Sequence, residues 1–395
     1  MDRKHQDFAP SRRVYGSASA RVAAQKKLPK LIFDFIDGAA GREVALSNNQ
    51  TAFDRLKLKP RVLAKTAQQS LATEFLGQSY DQPFGIAPMG MCNLSHPKAD
   101  YVMAQAAQRL KFPMTLSSAG SSSIEDVRRW AGENAWFQLY VTPPVELSLS
   151  LVQRAKEAGY RNLILTVDVP KVSRRLRDME NGFQMPFRLR TRQFIDFASH
   201  PIWSIRMLAS GTPRPVNFPQ NGKGFDRDAS RAMADWDFLK RLRDQWDGNL
   251  IVKGVTAPED AAQIKTIGAD AVYVSNHGGR QLDSAPGAIE LITPIKAAVG
   301  DNYPLIFDSG LRDAEDIVKA LACGANFVML GRPNLFAVAA DGARGLNSLY
   351  AALRYDLSVA MAQIGVSNIS QIGPHNLMPY PPTETVSATS KGQKP

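Results

Sequence analysis

The sequence has little of what marks an extracellular or membrane-spanning protein. Its 395 residues include two cysteines, Cys92 and Cys323, each in an apolar or small-residue setting. Two such residues predict reduced core thiols of a cytosolic protein and no disulfide framework. No run approaches the roughly 18 apolar residues that span a bilayer, and no apolar region follows Arg12 and Arg13 as an export signal requires. We therefore expect a cytoplasmic location.

Several ligand-binding motifs are also absent. There is no Walker loop and no G-x-G-x-x-G after a strand, so a dinucleotide in a Rossmann site is not supported. No metal site is predicted. The 48 Lys and Arg residues exceed the 37 Asp and Glu residues, and the net charge of +11 favours anionic partners such as carboxylates, phosphates or anionic lipid. The positive residues are dispersed, without zinc-finger spacing or a basic heptad region, and we predict no nucleic-acid binding.

Eight short apolar runs, rich in β-branched and aromatic residues, alternate with helix-length segments. With 44% hydrophobic residues the chain can bury a large core. Eight such units predict a closed parallel (β/α)8 TIM barrel, and an open doubly wound sheet is the alternative. The runs cover residues 83–89, 113–117, 136–141, 162–169, 250–254, 271–275, 304–309 and 327–331.

Three segments fall outside this alternation. Residues 1–60 predict a polar arm and a helical cover, packed outside or beneath the barrel, with two short helices over 18–36. The barrel occupies residues 61–375, and the polar tail over 376–395 predicts disorder. A long loop over 184–231, after the fourth strand, has eight Arg or Lys residues against three Asp and many aromatic residues. It is interpreted as a lid or an interaction surface.

In a TIM barrel, function lies just after the strand ends. Polar residues do follow the predicted strands: Gln138, Tyr140, Asp168, Lys253, His277, Asp308 and Arg332. The most informative string spans residues 274–283. It places His277, a candidate base, three residues before Arg280, which can bind a carboxylate through two hydrogen bonds.

The string over residues 274–283 resembles the signature of the FMN-dependent α-hydroxy acid oxidase and dehydrogenase family. The resemblance extends over about residues 28–372. That family includes glycolate oxidase, lactate dehydrogenase and mandelate dehydrogenase. The resemblance implies that His277 is the base and that Asp168, in the string 166–168, orients it. It also implies that Arg175 and Arg280 bind the substrate carboxylate and that Tyr140 contacts a substrate oxygen.

The resemblance implies an FMN site on the same face. Its phosphate group is expected at the loops after strands seven and eight, on Gly310, Arg312, Gly331 and Arg332, and Asp308 is expected to contact the ribityl chain. Lys253 is expected near the flavin N1, where it stabilises negative charge. The remaining positions expected to contact the isoalloxazine ring are Ala87, Pro88, Met89, Ser117, Gln138, Thr166 and Ser275.

Two departures from the family concern the substrate. Phe35 stands where many relatives have a tyrosine that binds the substrate carboxylate. Ala119 and Gly120 replace the bulky aromatic residue of glycolate oxidases, which leaves space for a larger substrate side chain. After Arg312, Asp313 and Ala314 stand where relatives often have a basic residue and glycine, so the phosphate loop is expected to differ slightly.

The predicted function is oxidation of an (S)-2-hydroxy acid, such as lactate or mandelate, to the 2-oxo acid. The string 200–204 resembles membrane-associated relatives. It implies peripheral attachment to the inner face of the membrane and electron transfer to a quinone or other respiratory acceptor. An oxygen-using oxidase and a non-catalytic flavin-binding barrel are the alternatives. The resemblance also implies a homotetramer, and hydride and carbanion mechanisms both stay open.

Overall fold

The computed structural model describes residues 10–185, 187, 190–218 and 229–378. Its centre is a closed barrel of eight parallel strands in the order β10-β3-β4-β5-β6-β7-β8-β9. The predicted closed barrel is confirmed, and each predicted run overlaps one of its strands. A short antiparallel hairpin precedes the barrel. The strands are β1 Thr73–Phe75, β2 Gln78–Tyr80, β3 Phe84–Met89, β4 Met114–Ser117, β5 Ala135–Leu139, β6 Asn162–Thr166, β7 Asn249–Val255, β8 Ala271–Val274, β9 Leu305–Phe307 and β10 Phe327–Leu330.

Helices surround the barrel and bury the outer faces of its strands, which explains why the strand sequences are nearly continuous apolar runs. All residues of β4, β5, β6 and β8 are buried. The helices are α1 Ser17–Lys27, α2 Lys30–Asp37, α3 Val44–Arg55, α4 Ala99–Leu110, α5 Ile124–Ala131, α6 Val145–Glu157, α7 Leu176–Glu180, α8 Thr191–Ala198, α9 Pro201–Ser210, α10 Trp236–Gln245, α11 Pro258–Ile267, α12 Ile292–Val299, α13 Ala314–Ala322 and α14 Arg332–Gln363.

The hairpin β1–β2 closes the amino-terminal end of the barrel. The Phe75 ring stacks on Phe327 at 5.2 Å between centroids, and Trp136 Nε1 donates to the Tyr80 hydroxyl at 3.3 Å. Phe327 and Trp136 lie at the starts of β10 and β5. Because this end is filled by aromatic side chains, a ligand cavity is left to the carboxyl ends of the strands.

Of the two places expected for the N-terminal cover, outside or beneath the barrel, the structure shows the first. Helix α3 packs on the turn over residues 277–279, at the carboxyl end of β8. The side-chain amides of Asn49 and Asn276 exchange two hydrogen bonds of 2.8 Å. Gly279 has a φ of +76°, and a Cβ there would lie 2.6 Å from Leu46 N. The cover therefore supports the face of the barrel where the cavity opens.

The inserted segment contains more regular structure than predicted. Instead of a continuous loop, it forms the two helices α8 and α9, of which α9 begins with Pro201 at its first turn, where proline fits a helix. Residues 186, 188, 189 and 219–228 of this segment lie outside the described residues. Within the described chain, no helix is long and apolar enough to cross a membrane.

Most of the predicted disordered tail, residues 379–395, also lies outside the described part. Its first residues have defined contacts. Lys59 N donates to Asn376 O at 2.7 Å, and Met378 N donates to Lys57 O at 2.8 Å. Residues 376–378 of the predicted tail are therefore ordered.

Candidate active site

A cavity of about 980 Å³ lies at the carboxyl ends of the barrel strands. Most of the predicted site residues line it: Phe35, Ala87, Pro88, Met89, Ala119, Tyr140, Arg175, Lys253, His277, Arg280, Asp308, Gly310, Arg312, Gly331 and Arg332. Asp168 lies behind His277, and four further predicted residues are fully buried below the cavity: Ser117, Gln138, Thr166 and Ser275. The barrel thus brings together residues that are separated by nearly 300 positions.

His277 is held between an aspartate and a tyrosine. Its Nδ1 lies 2.9 Å from Asp168 Oδ1, and its Nε2 lies 3.3 Å from the Tyr140 hydroxyl. A carboxylate at Nδ1 fixes the tautomer with the proton on that nitrogen and stabilises the imidazolium. The other nitrogen, Nε2, can then accept a proton on the cavity side. This arrangement suits general base chemistry.

The backbone around His277 is unusual. His277 has a φ of +59°, which is uncommon for a residue with a side chain, and Gly278 and Gly279 follow with φ of +64° and +76°. The His277 N–H donates to Ser275 Oγ at 3.0 Å, and Gly279 N donates to Asn276 Oδ1 at 3.2 Å. Strained backbone of this kind is retained where a functional side chain must point in one direction.

Two arginines lie beside an aromatic ring at the other side of the cavity. The guanidinium carbons of Arg280 and Arg175 lie 5.5 Å and 6.0 Å from the Phe35 ring centroid. The ring also stacks on Phe183 at 4.3 Å. Phe35 therefore contributes cation–π contacts at the position where a family tyrosine would donate a hydrogen bond. Arg280 is further fixed by donation to the carbonyl oxygen of Gly38 at 2.9 Å.

A second pair of arginines lies at the ends of β9 and β10. Burial and, second to it, the charge of the nearby Arg312 lower the pKa of Arg332 to about 9. Burial also lowers the pKa of Arg312, against the opposing charge of Asp316. Arg332 donates to the carbonyl oxygens of Ile36, Gly278 and Gly38 at 3.1, 3.0 and 2.8 Å. The two guanidinium groups are removed from water and repel each other. The two negative charges of a phosphate group would balance their charge.

Lys253 is part of a buried polar network between β7, β8 and β9. Its Nζ donates to Ser275 Oγ at 2.8 Å and lies 3.2 Å from Asp308 Oδ2. Ser275 Oγ in turn donates to Asp308 Oδ1 at 2.5 Å. Burial raises the pKa of Asp308, but Lys253 and hydrogen bonds from Ser275, Ser309 and Tyr273 outweigh it and lower the pKa overall. Asp308 thus stays an anion that holds Lys253 at the cavity wall.

The residues present fit FMN. The arginine pair suits its phosphate, and polar atoms next to the cavity floor suit the edge of a polar ring. Among the described residues, Gln138 Nε2 and Thr166 Oγ1 are buried and have no hydrogen-bond partner. Burying such atoms without a partner costs free energy, so a ligand with matching donors and acceptors would satisfy them.

Sequence reasoning missed several cavity residues. The apolar Val169, Val172 and Met185 line the cavity, and Arg231 lines it from the far end of the inserted segment. No motif marks any of them. The only signal was the excess of positive charge in residues 184–231, which does not say which arginine turns inward.

The closed barrel, the His277–Asp168 pair and two sets of buried arginines define a barrel enzyme for an anionic substrate and a phosphorylated cofactor. The family model described as FMN-dependent dehydrogenase matches residues 24–379. The chain belongs to this family, which confirms FMN as the cofactor and a 2-hydroxy acid oxidoreductase as the class of enzyme.

Individual relatives agree with this assignment. The (S)-mandelate dehydrogenase of Pseudomonas putida is 37% identical over 374 residues, covering 93% of this chain and 94% of the relative. An L-lactate dehydrogenase of Pseudomonas syringae pv. syringae is 33% identical over 369 residues, covering 91% and 97%. The crystal structure of a monotopic membrane protein, (S)-mandelate dehydrogenase, superposes with a TM-score of 0.88 at 36% identity, covering 92% of this chain and 99% of that one.

Proposed function

We propose that this enzyme oxidises an (S)-2-hydroxy acid with a side chain larger than that of glycolate, such as mandelate. The observation that carries the proposal is the hydrogen-bonded series Tyr140, His277 and Asp168, which faces a cavity that also contains Arg175 and Arg280. A 2-hydroxy acid needs a cation for its carboxylate and a base for its hydroxyl proton. Both lie in one cavity here.

Each of the cavity side chains has a separate role in the proposed reaction. Arg175 and Arg280 bind the carboxylate and so orient C2 and its hydroxyl. His277 accepts the hydroxyl proton at Nε2, while Asp168 stabilises the resulting imidazolium through Nδ1. FMN, when bound, would accept the two electrons together with the hydrogen removed from C2. Lys253 supplies a fixed positive charge beside that site.

The substrate side chain is proposed to lie against Ala119. This residue is small and lines the same cavity as the apolar Val169, Val172 and Met185. Ala119→Trp should therefore lower the rate with mandelate far more than the rate with lactate, whereas Ala119→Ser should leave their ratio within about threefold. Unchanged relative rates in the Trp variant would contradict this placement.

The test of the reaction is anaerobic reduction of the purified yellow protein. Addition of (S)-mandelate or lactate should bleach the visible flavin absorbance. His277→Ala should retain bound FMN and lose turnover by at least about a hundredfold, because the proton acceptor is gone. If no 2-hydroxy acid bleaches the wild type, the protein is better described as a non-catalytic flavin-binding barrel.

We also propose that the described helices of the inserted segment bind an anionic membrane surface and give access to a quinone. Helix α9 is apolar on two sides: Trp203 and Met207 pack inward, while Ile202, Ile205 and Leu208 are 70%, 65% and 83% exposed. An outward apolar side favours a second apolar phase. The similar (S)-mandelate dehydrogenase that is a monotopic membrane protein supports this assignment.

Liposome sedimentation tests the surface. The triple variant Ile202→Ser, Ile205→Ser and Leu208→Ser should no longer sediment with phosphatidylglycerol vesicles at low salt, while hydroxy acid oxidation with a soluble dye is retained. Val62→Ser, which removes an equally exposed apolar side chain elsewhere, should sediment like the wild type. A wild type that never sediments would contradict the proposal.

The oxygen-using oxidase is the second candidate for the acceptor. It is favoured by the similar structure of a mandelate oxidase variant with (S)-mandelic acid, which superposes with a TM-score of 0.80 at 33% identity. Rapid reoxidation of the bleached protein in air would support the oxidase, and slow reoxidation would support the dehydrogenase. The homotetramer and the cytoplasmic location stay predictions, and sedimentation equilibrium checks the first of them.

A further inference from the structure

Arg231, at the carboxyl end of the inserted segment, lies inside the candidate active site. It is only 4% exposed and lines the cavity. Its guanidinium carbon lies 5.2 Å from the ring centroid of Tyr140. Its backbone N–H donates to Pro170 O at 3.2 Å, and its Nη1 donates to Ala229 O at 2.6 Å. Arg231 is therefore held over the tyrosine ring by the contact with Ala229, in the same segment, and by the backbone contact with Pro170, after β6.

The position of Arg231 affects the contact between Tyr140 and His277. The tyrosine hydroxyl lies 3.3 Å from His277 Nε2, so a rotation of the side chain about its Cα–Cβ bond would move the hydroxyl away from the base. A cation over the face of a ring is attracted by the quadrupole of that ring, and more strongly where water is excluded. Arg231 thus restrains the ring from one side while His277 contacts its hydroxyl.

The charge has a second effect. Burial raises the pKa of Tyr140, and Asp168 raises it further. The arginines at positions 231, 175 and 280 oppose this, and the contribution of Arg231 is the largest of the three. A positive charge beside the hydroxyl makes it a better hydrogen-bond donor to a substrate oxygen that gains negative charge.

We propose that Arg231 is a positioning residue, which holds Tyr140 against His277 and strengthens the hydrogen bond that Tyr140 donates to the reacting substrate oxygen. This inference rests on the proposed function of the site. It gives the inserted segment a role inside the cavity as well as on the surface. Because Arg231 acts through Tyr140, its effect belongs to the transition state more than to substrate binding.

Arg231→Met and Arg231→Lys test this role. The Met variant keeps the length and apolar stem of the side chain but loses the cation, and its kcat with (S)-mandelate should fall about ten- to thirtyfold. KM should change by less than about threefold. The Lys variant should regain much of the lost kcat. Arg192→Met, which removes an exposed guanidinium from the same segment, is the control and should retain the wild-type kcat.

Ground-state binding is measured separately with 2-hydroxyisobutyrate. This acid has the carboxylate and the hydroxyl but no hydrogen on C2, so it cannot be oxidised. Its Kd, followed by perturbation of the flavin spectrum, should stay within about threefold of the wild-type value in Arg231→Met. A large increase in Kd with little change in kcat would make Arg231 a substrate-binding residue and overturn the positioning role.

A double-mutant cycle with Tyr140→Phe gives the decisive comparison. If Arg231 acts through the tyrosine hydroxyl, Arg231→Met should lower kcat much less in the Tyr140→Phe background than in the wild type. Additive losses, or an equal loss in Arg192→Met, would overturn the inference. A wild type that oxidises no 2-hydroxy acid would instead contradict the proposed function, so the two failures are distinguishable.

Discussion

At the residue scale, the orientation of the base depends on a glycine that sequence motifs do not mark. Gly254, in β7, has a φ of +100°, and a Cβ there would lie 2.5 Å from both Cβ and Cγ of Asp168. Asp168 Oδ1 in turn holds His277 Nδ1. The absence of a side chain at position 254 therefore lets the aspartate reach the histidine.

Gly254→Ala is expected to lower kcat on the order of a hundredfold, because the added methyl group displaces Asp168 and with it the base. The measurement is steady-state oxidation with a soluble dye. Gly268→Ala is the matched control: its φ is +93°, but the nearest atom to a Cβ is Arg243 Cδ at 3.9 Å. This control should lose stability from backbone strain alone and keep its kcat. Equal kcat losses in the two variants would contradict the explanation.

At the element scale, the helices of the inserted segment are attached to elements that carry cavity residues. Asp196, on α8, accepts hydrogen bonds from the Lys30 and Leu31 N–H groups at 2.9 and 3.1 Å. Both N–H groups lie in the first turn of α2, where backbone N–H groups have no partner within the helix. Helix α2 also carries Phe35. Trp203 Nε1, on α9, donates to Leu94 O at 2.9 Å. Asp196 and Trp203 thus attach the helices α8 and α9 to elements next to the cavity.

Asp196→Ala is expected to lower the free energy of unfolding by about 1 kcal/mol, the usual cost of losing a carboxylate at a helix N-terminus. Urea unfolding of the flavin-containing protein measures it. Asp237→Ala, which removes an exposed carboxylate beside Lys240, should change the stability by less than about 0.5 kcal/mol. Similar losses in both variants would show that Asp196 does not cap α2.

At the scale of the whole molecule, one buried carboxylate makes stability depend on pH. Asp100, on α4, is 1% exposed, and among the described residues its Oδ2 has no hydrogen-bond partner. Burial raises its pKa from 3.8 to about 6. Below pH 3.8 both folded and unfolded chains bind the proton. As pH rises to about 6, the unfolded chain ionises first, so the folded state loses stability relative to it.

Asp100→Asn should therefore become more stable than the wild type as pH rises from 4 to 7. The difference in the free energy of unfolding should grow by at most about 3 kcal/mol. Denaturant unfolding at several pH values checks the direction. Asp54→Asn, at an exposed position, should follow the wild type at every pH. A difference that shrinks with rising pH would mean that folding lowers the pKa of Asp100 instead of raising it.

The sequence by itself determined the fold class and many of the positions that line the cavity. Apolar runs and helix-length segments are local patterns, and eight of them specify a closed barrel whose strand ends meet on one face. Polar residues at those ends, such as Lys253, His277 and Arg332, are therefore brought together wherever the barrel closes. The string around His277 then indicated which chemistry to expect.

Only the tertiary structure decided which side chains touch across long separations. Arg231 lies over Tyr140, Phe35 lies beside two arginines, and Gly254 makes room for Asp168. Each contact joins different elements, and no local period or spacing encodes it. Contacts between distant elements also decided on which side of the barrel α3 lies and where the two described helices of the inserted segment pack. Packing against distant partners, rather than local propensity, determines such features.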